Sequence, residues 1–176
     1  MRLWITSDTH FGHQLNIRKP GFEEVILKFI NERVGEDDIL LNLGDFCWHD
    51  YEYWTKRYME ASKCRKWLVL GNHDKKSVQW YMGHGFDFVA DAIIIKRFGK
   101  DILLTHKPQE WFGQYDINVH GHLHNNSIDT IRVKDKESFD VLNDKQILVQ
   151  LEDNGYQCFT LDWLVKNHKR IRRFKK

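Results

Sequence analysis

Arg2-Leu3-Trp4-Ile5-Thr6-Ser7-Asp8-Thr9-His10, with the segment Phe22 to Val34 that follows, reads as a short buried strand, a loop bearing a carboxylate and an imidazole, and a crossover helix. The helix places Phe22, Val25, Ile26, Phe29 and Ile30 on one face. The pattern then repeats. Ile39-Leu40-Leu41-Asn42-Leu43 reads as a second strand, Tyr51 to Ala61 as a second helix, and Trp67-Leu68-Val69-Leu70 as a third strand. Strands apolar on both faces suit a sheet covered by helices on each side. Asp8, Asp45 and Asn72 each stand just past the apolar run of a strand. In open α/β sheets ligands bind in the crevice beyond the carboxyl ends of the strands, so these three side chains should converge.

The second half changes character. Ala92-Ile93-Ile94-Ile95 and Ile102-Leu103-Leu104 flank Gly99-Lys100, an antiparallel hairpin leading into Thr105-His106. Ile117-Asn118-Val119 runs into Gly121-His122-Leu123-His124. Ile147 to Leu151 and Cys158 to Thr160 lie either side of Asp153-Asn154-Gly155, which reads as a second hairpin. Leu161 to His168 reads as a closing helix. The polar stretch Asn125 to Lys145 has the poorest periodicity and is expected to be a long loop.

The chain has 176 residues, 41% hydrophobic and 30% charged, which suits one globular domain spanning 1–176. No apolar run approaches the roughly 18 residues of a spanning helix, so a membrane partner is not expected. The first candidate ligand follows the amino terminus so closely that no cleavable leader is expected, and the expected compartment is the cytoplasm. Cys47, Cys64 and Cys158 are odd in number and without a Cys-x-x-Cys pair, which points to incidental core thiols rather than a disulfide framework or zinc ribbon. The net charge of +2 does not imply nucleic acid. Lys169, Arg170, Arg172, Arg173, Lys175 and Lys176 do crowd the carboxyl terminus, either as a solvated tail or as a contact for a phosphate backbone.

Five clusters thus fall in order: Asp8-Thr9-His10, Gly44-Asp45, Gly71-Asn72-His73-Asp74, His106, and Gly121-His122-Leu123-His124. Carboxylates, imidazoles and one amide at strand ends are the donor types a site for two divalent cations needs. Residues two apart in extended chain point to one side, so Asp8 with His10, and His122 with His124, can each grip an ion. Asn72 is a weak ligand alone but useful beside stronger donors. His73 would aim elsewhere and is free to donate a proton. Asp74 has two readings, orienting His73 or capping the loop. His13 and His49 are either substrate-phosphate contacts or surface and capping residues. Trp48 either stacks a base or packs. His120 reads as structural, and His84 and His168 carry no signal.

The set resembles the calcineurin-like metallophosphoesterase superfamily, whose five signature blocks are present in order from Asp8 to His124. The resemblance implies a four-layer α/β/β/α sandwich, two mixed β-sheets flanked by helices, with a dinuclear centre at the sheet ends. It implies one metal held by Asp8, His10, Asp45 and His124 and another by Asp45, Asn72, His106 and His122. Asp45 would bridge, offering one oxygen to each cation. A bridging water ionised near neutral pH would attack phosphorus, and His73 would protonate the leaving oxygen, a role suited to an imidazole with a pKa near 6.5. Mixed oxygen and nitrogen donors favour Mn²⁺, with Fe²⁺, Zn²⁺ or Ni²⁺ as alternatives, over Ca²⁺. The chain departs from the superfamily's protein phosphatases. Where they read Gly-Asp-x-Val-Asp-Arg-Gly, it has Gly44-Asp45-Phe46-Cys47-Trp48-His49-Asp50, and Asp74 stands where their third block ends in Glu.

The expected activity is hydrolysis of phosphate esters, a phosphodiesterase or a broad phosphohydrolase of small esters and nucleotides. The alternative substrate is nucleic acid, for a nuclease or end-processing enzyme using the basic tail. A binding scaffold without chemistry is a third reading, opposed by the complete ligand set and by His73.

Overall fold

The computed structural model describes residues 1–13, 18–110, 113–124 and 135–171. The first sheet is built from β1 (Leu3–Thr6), β2 (Ile39–Asn42), β3 (Arg65–Val69), β4 (Phe88–Ala90) and β9 (Phe159–Thr160), ordered β4-β3-β2-β1-β9. Four of these strands run parallel and β9 lies antiparallel to β1. The second sheet holds β5 (Ala92–Arg97), β6 (Lys100–Thr105), β7 (Ile117–His120) and β8 (Gln146–Leu148) in that order. Here β5 and β6 are antiparallel, while β6, β7 and β8 run parallel. Helices α1 (Phe22–Arg33), α2 (Tyr51–Glu60), α3 (Val78–Gly83), α4 (Lys136–Asp140) and α5 (Leu161–Ile171) complete the described elements.

Alternation along the central strands separates two cores. Trp4, Leu40 and Leu68 turn to one face, where they meet Ile26, Leu27 and Ile30 of α1 and Tyr58 of α2. Leu3, Ile5, Ile39, Leu41 and Val69 turn to the other, where they meet Ile102, Leu104, Ile117, Val119 and Ile147 of the second sheet. Period-two side-chain direction is thus what makes one sheet serve a helical layer and a sheet layer at once. Leu161, Leu164 and Val165 of α5 join this second core, and α5 contacts β1, β8 and β9. The expected architecture of two mixed sheets flanked by helices is what the structure has.

Four local expectations change. Val25 lies on the exposed side of α1 and Leu27 takes its place in the core. The supposed second hairpin does not form: β8 pairs with β7, the chain makes a short 3-10 turn at Glu152–Asn154, and β9 pairs with β1 in the other sheet. Gly155 adopts a positive φ of 70° where the chain passes from one sheet to the other. Two elements, α3 and β4, were not anticipated, being too short for a periodic signal. Within the polar stretch expected to be a loop, Lys136–Asp140 is helical and 125–134 lie outside the described residues. The first hairpin turns at Phe98 and Gly99, both with φ near 60° (56° and 68°), so that Arg97 faces Lys100.

No helix among the described residues is long and apolar enough to cross a membrane. Cys47, Cys64 and Cys158 are buried free thiols. Of the basic cluster, Arg172, Arg173, Lys175 and Lys176 lie outside the described residues.

Candidate metal centre

The clusters all follow parallel strands. Asp8 and His10 follow β1, Asp45 follows β2, Asn72 and His73 follow β3, His106 follows β6, and His122 and His124 follow β7. Loops after adjacent strands are tied together: Asp8 N donates to Gly44 O at 2.9 Å, His10 N to Asp45 O at 2.9 Å and Gly121 N to His106 O at 2.9 Å. Buried Asn42 stitches two of them, donating to Thr9 Oγ1 at 2.9 Å and accepting from Gly44 N at 2.9 Å. The loops bearing Asp8, Asp45 and the histidines are thus brought together at the strand ends, and Asn72 Oδ1 joins them 3.0 Å from His106 Nε2.

Two donor groups result, one of Asp8, His10 and His124, the other of Asp45, His106 and His122. In the first, His10 Nε2 lies 3.2 Å from His124 Nε2, and Asp8 Oδ1 lies 3.4 Å from the latter. In the second, His106 Nε2 lies 3.2 Å from His122 Nδ1 and 3.0 Å from Asn72 Oδ1. Donors bound at about 2.1 Å to one ion sit about 3.0 to 3.4 Å apart in octahedral or tetrahedral geometry, so these spacings fit a divalent cation. Asp45 Oδ2 is 3.6 Å from His10 Nε2 and 3.3 Å from His106 Nε2, between the groups. Its Oδ1 is occupied by His73 N at 2.8 Å. Oδ2 thus lies within 3.6 Å of an imidazole from each group, while Oδ1 accepts a backbone N–H.

The remaining bonds orient these donors. Asp8 Oδ2 accepts from Ser7 Oγ at 2.6 Å and His122 N at 2.9 Å, while buried Oδ1 has no hydrogen-bond partner and faces the first group. His106 Nδ1 bonds Leu43 O at 2.9 Å, His124 Nδ1 bonds Glu152 Oε1 at 3.0 Å, and His122 Nε2 bonds the Asp135 carboxylate. An imidazole with one nitrogen so engaged presents the other nitrogen's lone pair to the centre, which is how metal-binding histidines are held. The donor set therefore fits two cations.

Electrostatics agree. Burial would raise Asp8, but the surrounding His124, His106 and His10 hold its carboxyl well below the usual range. Burial likewise opposes ionisation of Asp45, and His106 outweighs it. In return His106, despite burial, is drawn up to about 9 by Asp45 and Asp8, whereas burial drives His10 down to about 3.

Five of the candidate ligands sit in the left-handed backbone region: Asp8 at φ 51°, His10 at 41°, Asp45 at 53°, His122 at 70° and His124 at 49°. Such conformations cost roughly 1 to 2 kcal/mol each for residues with a side chain and cluster at functional sites. Gly71 and Gly121 permit the approach. A Cβ on Gly71 would overlap Asp45, and one on Gly121 would overlap Ser7 Oγ and Asp8 Oδ2.

His73 stands at the mouth. Its side chain is 36% exposed, with Nε2 4.0 Å from Asp45 Oδ2. Its ring packs 4.3 Å from that of half-buried Trp48, which lies as close to His13, and Tyr51 Oη donates to His73 O at 3.0 Å. Asp74 bonds the backbone instead. It accepts from Asp45 N at 2.8 Å, Phe46 N at 2.9 Å and Gly71 N at 2.8 Å, with Tyr81 Oη at 3.3 Å, which is the geometry of the loop cap rather than of a partner for His73. Burial pushes its carboxyl up to about 6 against these bonds. His49 is exposed, and His120 is buried with Nδ1 on Gly121 O at 2.9 Å, a structural placement.

Sequence reading missed Arg18, Asp135 and Glu152. Arg18, with its side chain 1% exposed, donates to Thr9 O at 2.8 Å, to Asp8 O, and to Glu152 Oε1 at 3.2 Å. Their partners stand between 9 and 134 residues away, beyond the turn and helix spacings that sequence reading uses.

The chain matches the family model described as calcineurin-like phosphoesterase over residues 1–171. A protein of unknown function from Aquifex aeolicus is 28% identical with a TM-score of 0.74, the match covering 94% of this chain and 98% of that one. The nuclease MPE of Pseudomonas putida is 23% identical (TM-score 0.48; 70% and 62% covered), and an archaeal phosphodiesterase 21% (0.47; 72% and 74%). No curated protein matches the chain. With two mixed sheets, candidate ligands at their strand ends and a family match running through both, this protein belongs to the calcineurin-like phosphoesterase family.

Proposed function

We propose that the protein is a dinuclear metal-dependent phosphoesterase acting on phosphodiesters or small phosphate esters. The observation that carries this reading is the position of Asp45 Oδ2 between two donor groups, three of whose imidazoles have their outer nitrogens bonded. Asp8, His10, Asp45 and His124 would hold one cation, and Asp45, Asn72, His106 and His122 the other. Bound there, divalent cations, Mn²⁺ first among them, supply an ionised water and offset charge on the phosphoryl oxygens. The chain's own residues do the rest. His73 Nε2, at the exposed edge, holds a proton for the departing oxygen, and the bond from its backbone N–H to Asp45 fixes its distance from the centre. Trp48 closes one side of the imidazole and limits its rotation.

The test is Mn²⁺-dependent hydrolysis of 4-nitrophenyl phosphate and bis(4-nitrophenyl) phosphate by wild type, His73→Ala and Asp45→Asn, with bound metal measured in each. Diester turnover that collapses in both variants, with metal lost only from Asp45→Asn, supports the reading. Full metal loading with no turnover of either ester argues for the scaffold. A steep fall of activity with salt would favour nucleic acid as substrate.

A further inference from the structure

A groove of about 750 Å³ lies on the face of the second sheet turned away from the shared core, between β5, β6, the segment after β6, and α4. Ala92 and Ile94 of β5 sit opposite Thr105 and Leu103 of β6 there, the alternate residues Ile102 and Leu104 being in the core. The groove shares Asp91, Thr105, Lys107 and Gln109 with a recess of about 210 Å³ that is lined by Asn72 and His106. The groove therefore adjoins the recess beside the second donor group, with these four residues as their common wall. Its size falls within the roughly 300 to 1,000 Å³ of small-molecule sites.

Its wall is pre-formed. Buried Asn118 donates to Thr105 Oγ1 at 2.8 Å and accepts from Gln109 N at 2.9 Å. Gln109 O accepts from Tyr115 Oη at 2.6 Å and Gln146 Nε2 at 2.8 Å. The floor is apolar, from Ala92, Leu103 and Pro108, and the rim is acidic, from Asp91, Glu110 and Glu137. Those three carboxylates are exposed and form no ion pair among the described residues. Among the described lining residues the one cation, Lys107, is already 3.9 Å from Asp135. A second anionic group on a substrate would meet the negative charge of these carboxylates over an apolar floor, whereas a cationic or neutral organic group would meet a complementary surface.

We propose that this groove is the subsite for the organic part of the ester, and that it selects cationic or neutral groups against anionic ones. The inference rests on the phosphoesterase reading and adds the substrate class.

The test uses the full chain loaded with Mn²⁺ and three diesters sharing a 4-nitrophenolate leaving group: methyl, choline and 3-carboxypropyl. Choline is expected to exceed 3-carboxypropyl in kcat/KM by about tenfold at low salt. In Glu110→Gln/Glu137→Gln that ratio should drop below about threefold. Equal rates for the two charged esters in wild type, or a ratio unmoved in the double variant, overturn the groove assignment while hydrolysis of the methyl ester leaves the phosphoesterase reading standing. Failure to hydrolyse even the methyl ester counts against that reading instead. Calorimetric binding of phosphocholine against 3-carboxypropyl phosphate then decides the groove: tighter phosphocholine supports it, and equal affinity overturns it.

Discussion

Asp38 shows how one buried carboxylate can be worth keeping charged far from the centre. It accepts from Arg2 N at 2.7 Å, Trp4 Nε1 at 2.9 Å and Gly35 N at 3.3 Å, with the Arg2 guanidinium beside it. Burial would raise its pKa, but those bonds prevail and bring it to about 2. A folded-state pKa below the unfolded value contributes stability that is fully present above about pH 4 and lost as pH falls towards 2. Asp38→Asn should therefore cost about 1 to 2 kcal/mol at neutral pH, allowing for screening, with the gap to wild type closing below pH 4 in urea titrations. Gly121 makes the opposite kind of demand, for empty space. Gly121→Ala drives a methyl into Ser7 and Asp8, and the expected result is loss of cation binding by metal analysis together with about 1 to 3 kcal/mol of stability.

Among elements, α1 and the 3-10 turn before β9 divide the work of packing and positioning. Ile30 of α1 is fully buried while Val25 is 46% exposed. Ile30→Ala should cost about 2 to 5 kcal/mol in chemical denaturation, and Val25→Ala within about 0.5 kcal/mol, with metal content unchanged in both. The turn at Glu152–Asn154 instead serves the centre. Glu152 Oε1 is shared by His124 Nδ1 and Arg18, so it holds one imidazole and, through Arg18, the carbonyls of Asp8 and Thr9. Glu152→Gln keeps the shape and weakens this grip; Mn²⁺ affinity measured by calorimetry should fall about 10 to 100-fold, and the ion-free melting temperature should fall as well because buried Arg18 loses its counter-charge.

For the whole molecule, the two sheets meet through one apolar layer and present their strand ends on one side, so the site draws on both. A cation bound there ties loops from the two sheets together and is linked to global stability. Mn²⁺ at 100 times its Kd should add about 2.7 kcal/mol for each site it fills, seen as a higher melting temperature that a chelator reverses. Much of this was legible in the chain itself. Apolar runs marked β1, β2, β3, β6 and β7, and the polar residues ending each run marked the donors, because the hydrophobic period and the strand-end position are local properties. The departures have non-local causes. Val25 and Leu27 flank the Phe22, Ile26 and Ile30 stripe on opposite sides of α1, so helical period alone does not choose between them and packing buries Leu27. The chain after β8 crossed to the other sheet because the free edge of β1 lay there. Arg18, Asp135 and Glu152 reach the site through bonds that no helical or strand spacing encodes, and the orientation of Asp45 and the capping role of Asp74 depend on which backbone N–H groups folding brings near. Sequence by itself determined which residues could bind a cation, since donor chemistry belongs to the side chain. Tertiary structure alone decided which oxygen and which ring nitrogen face the centre, since that choice is made by what occupies the other one.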